Sequence, residues 1–519
     1  MSPEGYAGMP HDNRAIIAEP AGRRFALGVF GVALAIGAGA ALWYARADLT
    51  LSHYDARAHL VVARRIVDSL TPGWKQIGAV WLPLPHLLNM PVVQWDWAYR
   101  TGYPSTAVSV LAMSIGLGLL SSLLLRRTQS IAAAAAAPAV ILLNPNVLYL
   151  QSTPMTEPLL IGLSLVAIYL ADRWIERGDG ASLTCAGVAI AALALTRYEG
   201  WFVAGALVAM AAWGRRRDGM AALALVPWLG AAIAGFLLLS WGATGVWFVT
   251  SGFFNPEPET LGQLVPAAAH VARGAHHLSG TTVIGGGLVG LAAAVIALGR
   301  GRVGAALPLV LATAALLPLY AFYEGHPFRI RYMVPVVVAC GALSALAIAS
   351  LPRRLQWLAA ALLVGTALWQ APPLDARAPM VLEAQWEAPY RIAREAVTQH
   401  LVEEWDGSPI LASMGSLGHY MQESSHAGFA LADFVHEGNG TLWSTIRERP
   451  GRYVNWMLIE GRAEGGDLFA ERARVDPSLL DGLSLVAEGG GVALYRRVER
   501  DIVLPSGSVG VRSGPESRR

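Results

Sequence analysis

The stretch Asp48-Leu-Thr-Leu-Ser-His-Tyr-Asp-Ala-Arg-Ala-His59 directly follows the first long apolar segment of the chain. It opens a predicted loop of residues 46–105 and holds the densest group of ionisable side chains beside any predicted membrane span. Asp55 and His59 lie four residues apart, so a helix from Asp55 to about Leu70 places both on one face. The sequence predicts that a site begins here.

The composition of the chain indicates an α-helical polytopic membrane protein. Of its 519 residues, 54% are hydrophobic and 15% are charged, whereas a soluble domain has roughly 25% charged residues. The net charge of +2 is too small to favour nucleic acid as a partner. About eleven apolar segments are predicted to cross the bilayer. They lie at 25–45, 106–125, 129–150, 158–171, 182–195, 201–214, 219–241, 282–299, 303–322, 332–351 and 355–372.

Arginine residues between these segments predict the orientation. With the N-terminal tail of residues 1–24 in the cytoplasm, fourteen arginines fall on the cytoplasmic side, as the positive-inside rule requires. An odd number of spans then puts the C-terminal part outside. We therefore expect an integral, multi-pass protein of the plasma (inner) membrane. The fourteen are Arg14, Arg23, Arg24, Arg126, Arg127, Arg173, Arg177, Arg215, Arg216, Arg217, Arg300, Arg302, Arg353 and Arg354.

Two interpretations of Asp55 are open. Ser52 and Asp55 have the spacing of a capping box, in which the carboxylate binds backbone N–H groups of the first helical turn. Alternatively, the carboxylate faces a substrate together with Tyr54 and His59. Four tryptophans between residues 74 and 97 suit the headgroup region of a membrane.

Further polar clusters are predicted on the same, outer side. Glu157 precedes Pro158 at the start of a span, where it either complements the helix dipole or supplies a second carboxylate to a site. Arg197 and Glu199 lie where another span emerges. Arg197 is either a helix-end cation or a ligand for phosphate, to which arginine makes bidentate contacts.

The segment His326-Pro-Phe-Arg-Ile-Arg-Tyr332 is the strongest of these clusters. Arg329 and Arg331 lie outside, against the orientation bias, and therefore require an anionic partner. The candidates are Glu324, lipid headgroups and a pyrophosphate-like ligand. Because all these loops converge on one membrane face, we expect a binding site there.

The chain changes character after residue 372. A helix is predicted over about Glu387–Trp405, and strands are predicted at 409–414, 453–460, 483–487 and 492–496. We therefore expect residues 25–372 to form the transmembrane domain and residues 373–504 to form a small α/β domain outside the membrane. Residues 505–519 are rich in Gly, Ser and Arg and are predicted to be disordered.

The order and sidedness of these motifs resemble the multispanning glycosyltransferases of the GT-C class, in the protein mannosyltransferase and aminoarabinose-transferase-like superfamily. These enzymes use polyprenyl-phosphate-linked sugars. The similarity covers most of residues 25–500 and rests on the acid in the first outer loop, four short runs and the α/β tail. The runs are Trp81-Leu-Pro-Leu-Pro-His86, Thr153-Pro-Met-Thr-Glu-Pro158, Thr196-Arg-Tyr-Glu-Gly-Trp201 and Arg331-Tyr-Met-Val-Pro335.

The resemblance implies roles for individual residues. Asp55 becomes the catalytic acid of the first loop, as a base or a metal ligand, and the later outer arginines meet the lipid phosphate. Many members have paired acids in this loop, whereas Asp55 has no adjacent acid, so a divalent cation on Asp55 and Glu157 stays open. The predicted catalytic residues are Asp55 and Glu157, and the predicted substrate-binding residues are Tyr54, His59, Arg197, Glu199, His326, Arg329, Arg331 and Tyr332.

The function expected from this resemblance is sugar transfer from a polyprenyl-phosphate donor to an acceptor hydroxyl on an envelope lipid, glycan or protein. Membrane lipids surround the chain. Two other classes are alternatives. A secondary transporter usually places ionisable residues near the membrane midplane, where the spans predicted here are uncharged. A non-catalytic membrane assembly protein would tolerate Asp55→Asn.

Overall fold

The computed structural model describes residues 19–249, 256–463 and 466–498, so the predicted tail of residues 505–519 lies outside the described residues. Helices dominate the first three quarters of the chain. They are α1 (Glu19–Arg46), α2 (Tyr54–Arg64), α3 (Leu84–Val93), α4 (Asp96–Thr101), α5 (Tyr103–Thr128), α6 (Ile131–Leu142), α7 (Pro145–Gln151), α8 (Glu157–Arg177), α9 (Gly180–Ala194), α10 (Glu199–Gly214), α11 (Val226–Thr244), α12 (Leu264–Gly299), α13 (Val303–Ala306), α14 (Leu316–Tyr323), α15 (Val334–Ser350) and α16 (Arg353–Gln370).

Seven helical segments of the described residues are long and apolar enough to cross a membrane. An eighth arises if α6 and α7 form one bent span, and α9 and α10 are shorter apolar helices. The chain is thus an integral membrane protein, and the prediction of about eleven crossings stays a prediction. The seven are 21–46, 103–128, 157–177, 216–244, 264–299, 303–323 and 330–350.

Proline and glycine determine where the helices bend. The 68° bend between α6 and α7 lies at Pro145, which cannot continue the hydrogen-bond ladder of α6. Gly280 breaks α12 with a φ of 74°, a conformation that glycine adopts at little cost. Residues 264–281 lie between the predicted spans 219–241 and 282–299, and they belong to α12, which continues on both sides of Gly280.

The predicted helix of the first loop is shorter than expected. It ends at Arg64 rather than Leu70, because the chain turns back after this residue. Asp68 lies in the turn and accepts a 2.9 Å hydrogen bond from Nε of Arg64. Its carboxylate also accepts hydrogen bonds from the backbone N–H groups of Leu431 and Ala432, far along the chain. Tertiary contacts thus end α2.

The C-terminal unit, defined here as residues 388–498, contains one five-stranded sheet of order β2-β1-β3-β5-β4. The β1 strand runs parallel to β2 and β3, whereas β5 is antiparallel to β3 and β4. The segments predicted as strands are strands in the structure. The elements are α17 (Pro379–Ala384), which precedes the unit, and α18 (Ala388–Glu404), β1 (Ile410–Ala412), α19 (Met414–Ser424), β2 (Phe434–Val435), α20 (Thr441–Ile446), α21 (Pro450–Tyr453), β3 (Trp456–Glu460), α22 (Leu468–Val475), β4 (Leu483–Gly489) and β5 (Val492–Arg497).

The C-terminal unit packs directly on the first loop. Arg57 of α2 forms an ion pair with Glu423 of α19, and a β-carbon at Gly418 would lie 3.6 Å from Ala58. Gln422 donates a 3.1 Å hydrogen bond to the carbonyl of Tyr99. One continuous hydrophobic core joins the unit to the helical bundle. The helix that carries Asp55 is therefore held from both sides.

Candidate active site

Asp55 lies in the first turn of α2, and its carboxylate does not cap the helix. The N-cap residue is His53, whose Nδ1 accepts a 3.1 Å hydrogen bond from the backbone N–H of Asp55. Ser52 instead donates to the carbonyl of Ala384 at 2.9 Å. The capping interpretation of Asp55 is wrong, because its carboxylate forms an ion pair with the guanidinium of Arg331.

Glu157 begins α8 and is completely buried, with Pro158 in the first helical turn as predicted. Its Oε1 lies 3.1 Å from Nη1 of Arg197. The same guanidinium contacts Glu199 at 2.8 Å and donates to the hydroxyl of Thr156 at 2.9 Å. Arg197 is thus held by three partners at 3.1 Å or less, all of which a phosphate ligand would have to displace.

Arg331 lies in the single helical turn Ile330–Met333, just before α15. Its guanidinium pairs with Asp55, and its Nε lies 3.8 Å from Oε1 of Glu157. The Arg331 and Asp55 side chains are each only 9% exposed. Arg331 therefore joins the first loop to the start of α8, two parts of the chain that are far apart in sequence.

We call Asp55, Glu157, Arg197, Glu199 and Arg331 the charged centre. Three carboxylates face two guanidinium groups, so the ionised centre carries one excess negative charge. Burial raises the pKa of the Asp55 carboxyl, but the charge of Arg331 outweighs this effect and holds the pKa below its usual range. Burial alone would lower the pKa of Arg197. The neighbouring carboxylates of Glu157 and Glu199 outweigh burial and raise this pKa above its usual value.

His59 shares the face of α2 with Asp55 and packs against the Trp81-to-His86 run. Its ring lies 4.2 Å from that of Trp81, and its Nδ1 lies 3.2 Å from Nε2 of His86. Nδ1 of His86 is hydrogen-bonded to the carbonyl of Leu82 at 3.1 Å, so His86 carries its proton there and His59 donates from Nδ1. Burial and His86 lower the pKa of His59 well below 6.5, which keeps both rings neutral at pH 7.

Four predicted binding residues flank the charged centre rather than belong to it. His326 accepts a 3.3 Å hydrogen bond from the hydroxyl of Tyr332, and burial lowers its pKa to about 4. The guanidinium of Arg329 lies 5.9 Å from the ring centre of Tyr54, next to Asp55 in sequence. Arg329 and Tyr332 both lie within two residues of Arg331, so this segment brings aromatic and basic groups to one wall.

Sequence reasoning missed Glu383, which contacts the N-cap residue of α2. Glu383 of α17 accepts a 3.0 Å hydrogen bond from the backbone N–H of Ile330, and its other oxygen lies 3.6 Å from Nε2 of His53. Burial raises the pKa of Glu383, but His53 and Arg331 lower it more. No sequence pattern marks Glu383, because its partners lie about fifty residues or more away along the chain.

The residues do not favour a metal ion at the charged centre. Arg331 pairs with both Asp55 and Glu157 and so takes the place that a cation bridging them would need. Across residues 19–249, 256–463 and 466–498, the one group of three potential metal ligands lies elsewhere, at Glu387, His419 and Glu460. A divalent cation on Asp55 and Glu157 would require Arg331 to leave first.

Comparison with known proteins places the fold. No family model and no curated protein matches the chain. The apo structure of ArnT from Cupriavidus metallidurans matches with a TM-score of 0.56 and 11% identity, covering 89% of this chain and 97% of that chain. The structure of the same protein bound to undecaprenyl phosphate gives a TM-score of 0.49 at the same identity and coverage. The apo match shows that this chain has an ArnT-like fold, which confirms the predicted similarity at the level of the fold.

Proposed function

We propose that the chain is a membrane glycosyltransferase that moves a sugar from a polyprenyl-phosphate donor to an acceptor hydroxyl on an envelope lipid, glycan or protein. The observation that carries the proposal is the position of Arg331. Arg331 is a buried cation between the carboxylates of Asp55 and Glu157, which come from separate segments. Asp55 lies in the first turn of the helix of the first loop. The ArnT-like fold supports the same reading.

The resting pairing of Asp55 with Arg331 suggests how a donor would prepare the site. Phosphate oxygens compete with a carboxylate for a guanidinium, since both accept charge-assisted, bidentate hydrogen bonds from it. When the donor phosphate takes Arg331, Asp55 loses its counter-ion and its pKa rises. A carboxylate with a higher pKa is a better general base. Glu157 stays paired with Arg197 when the donor binds, and so keeps its position in the charged centre.

The transfer is a single displacement. The acceptor oxygen forms a bond to the anomeric carbon while the bond from that carbon to the phosphate oxygen breaks. The acceptor proton passes to the Asp55 carboxylate, and the electron pair leaves with polyprenyl phosphate, whose negative charge Arg331 stabilises. The anomeric configuration inverts, because only one displacement takes place.

We further propose the membrane arrangement that this chemistry needs. The N-terminus is cytoplasmic, about eleven helices cross the plasma (inner) membrane, and the charged centre and the C-terminal unit lie on the outer side. Residues 25–372 form the transmembrane domain and residues 373–504 the extracytoplasmic domain. The fourteen arginines on the opposite side support this orientation.

The test is a donor screen with purified full-length protein in proteoliposomes. Radiolabelled polyprenyl-phosphate pentoses and hexoses are supplied with lipid, glycan and protein acceptors. We expect one combination to yield labelled acceptor and free polyprenyl phosphate in equal amounts. Movement of the intact donor across the vesicle membrane, with no labelled acceptor for any combination, would instead indicate a transporter.

A further inference from the structure

A second group of polar side chains, two of them buried, lies in the C-terminal unit and at residue 387 just before it. Glu387 directly precedes α18, His419 belongs to α19, and Glu460 ends β3. One potential ligand atom from each residue lies within 4.8 Å of the other two. Three separate segments of the fold thus direct ligand-type atoms toward one point.

Two polar atoms of this group have no hydrogen-bond partner although they are buried. They are Nε2 of His419 and Oε2 of Glu460, in side chains that are more than nine-tenths buried. A buried polar atom without a partner costs about 1–3 kcal/mol, so native proteins rarely leave two together. The nearest approach between the two residues is 4.0 Å, which is too long for a hydrogen bond.

The tautomer of His419 favours a ligand at its free nitrogen. Its ring is hydrogen-bonded to the backbone carbonyl of Ser416, one helical turn earlier in α19. Only a protonated nitrogen can donate to a carbonyl, so Nε2 keeps a lone pair directed at the group. Histidines that bind metals in proteins are oriented in this way by a hydrogen bond from the other ring nitrogen.

Acidic groups outnumber basic groups around this site. Four carboxyl groups meet two guanidinium groups. Arg394 binds Oε2 of Glu387 at 2.9 Å and thereby fixes the direction of that carboxylate. The acids are Glu387, Glu423, Glu460 and Asp467, and the arginines are Arg57 and Arg394.

We propose that Glu387, His419 and Glu460 bind one divalent transition-metal ion of the zinc type. Imidazole with carboxylates is a ligand set that suits zinc, whereas calcium and magnesium take oxygen ligands almost alone. Ligand atoms around tetrahedral zinc lie about 3.3 Å apart, so the group has to close by about 1.5 Å at most. The Glu387 side chain is 27% exposed and gives the ion a route from solvent.

The site has a structural consequence and does not depend on the proposed glycosyl transfer. It joins the start of α18, the middle of α19 and the end of β3. Because α19 packs on α2 through Gly418 and Glu423, a bound ion would stabilise the support of the helix that carries Asp55. The ion is not placed near the reacting atoms.

The test measures metal binding by the full-length protein in detergent, stripped of metal with a chelator. Zn²⁺ is titrated calorimetrically, and Co²⁺ is added as a spectroscopic probe of coordination. We expect one equivalent of Zn²⁺, a tetrahedral Co²⁺ absorption spectrum and a higher midpoint of thermal unfolding. His419→Ala and Glu460→Gln should each lose the equivalent, while His426→Ala, an exposed histidine just after α19, and Asp55→Asn should retain it.

Two further variants keep the test decisive if His419→Ala fails to fold. Glu387→Gln changes only the partly exposed ligand. We expect at least 10-fold weaker Zn²⁺ binding and an unchanged circular dichroism spectrum. His419→Cys should keep the ion and add a sulfur-to-cobalt charge-transfer band. Absence of Zn²⁺ binding by the wild type, or full binding by Glu387→Gln and Glu460→Gln, would overturn the proposal.

Discussion

The charged centre and the cluster at the other end of α8 are both built from acids and arginines, yet they differ in origin. The opposite cluster, defined as Arg126, Arg127, Asp172 and Glu176, lies along α8 about 22 Å from Glu157, at a rise of 1.5 Å per residue. Its acids come from α8 and its two arginines from the end of α5. The charged centre instead draws its residues from four separate segments.

Exposure separates the two clusters further. The arginines of the opposite cluster are 23% and 24% exposed, so water stabilises them whether or not they are paired. In the charged centre, Arg331 is 9% exposed and depends on Asp55 and Glu157. The partly hydrated ion pairs of the opposite cluster link the end of α5 to α8. A dry pair that joins distant segments is costly to maintain and is more typical of a functional site.

The largest expected difference concerns the arginines. Arg331→Gln should lower glycosyl transfer by about 10²–10³-fold, because the leaving phosphate loses its cation. Arg127→Gln, the matched control, should leave the rate within about 2-fold and lower stability by about 1 kcal/mol, since Arg126 still pairs with Asp172. Initial rates and thermal unfolding of both variants check this.

A second readout distinguishes a role in catalysis from a role in folding. Removal of Arg331 raises the pKa of Asp55 in the free enzyme. The acid limb of the kcat/KM profile, which reports the free enzyme, should therefore move to higher pH in the residual activity of Arg331→Gln. Arg331→Lys keeps a positive charge and should restore the position of the limb without restoring the full rate. An unshifted limb in Arg331→Gln would exclude Asp55 as the base.

The next effect is a loss of folding stability in weak acid. It comes from His86, which contacts His59 beside the charged centre. Burial, with the nearby charge of Arg65, lowers the pKa of His86 to about 3, against about 6.5 in an unfolded chain. The unfolded state therefore takes up protons first, and stability falls as the pH drops below about 6.5. Between pH 6.5 and 5, His86 alone accounts for about 2 kcal/mol.

Thermal unfolding of His86→Gln at pH 7 and pH 5 measures this contribution. The difference between the two pH values should be smaller in the variant than in the wild type. His400→Gln, which changes a partly exposed histidine of α18, should leave the wild-type difference intact. An identical pH dependence in wild type and His86→Gln would refute the assignment.

The smallest expected effects concern one glutamate from each cluster, Glu199 and Glu176. Glu199 is 1% exposed and pairs with the buried Arg197, so Glu199→Gln should cost about 1–3 kcal/mol of unfolding free energy. Glu176 is 35% exposed, and Glu176→Gln should cost less than about 1 kcal/mol. Chemical denaturation curves give both values, and equal costs would remove the distinction between a dry and a hydrated cluster.

The sequence predicted that Asp55, Glu157, Arg197 and Arg331 share one membrane face, but not how they pair. Glu157, Arg197 and Arg331 all lie at span ends, and the alternation of arginine-rich loops assigns those ends to one side. The same reasoning could not show that Arg331 pairs with Asp55. An arginine on this face could equally pair with Glu157 or with a bound phosphate. The capping interpretation failed because His53, a less common cap, took the role of Ser52.

The residues that were missed depend on contacts between distant parts of the chain. Glu383 binds Ile330 and approaches His53, more than three hundred residues before it. His419 and Glu460 meet only because α19 and β3 neighbour each other in the folded C-terminal unit. Hydrophobic periodicity locates helices and strands, whereas it contains no information on which side chains lie opposite each other across the fold.

The most direct test of the account compares Asp55→Asn with Asp172→Asn in the same transfer assay. Both substitutions replace a buried, arginine-paired carboxylate with an amide of equal size. Asp55→Asn should reduce labelled product by about 10²–10⁴-fold, the contribution of a general base. Donor affinity should stay the same or rise, because the amide no longer competes with the phosphate for Arg331. Asp172→Asn should retain the wild-type rate. Full activity of Asp55→Asn, or an equal loss in both variants, would contradict the assignment of the charged centre as the active site.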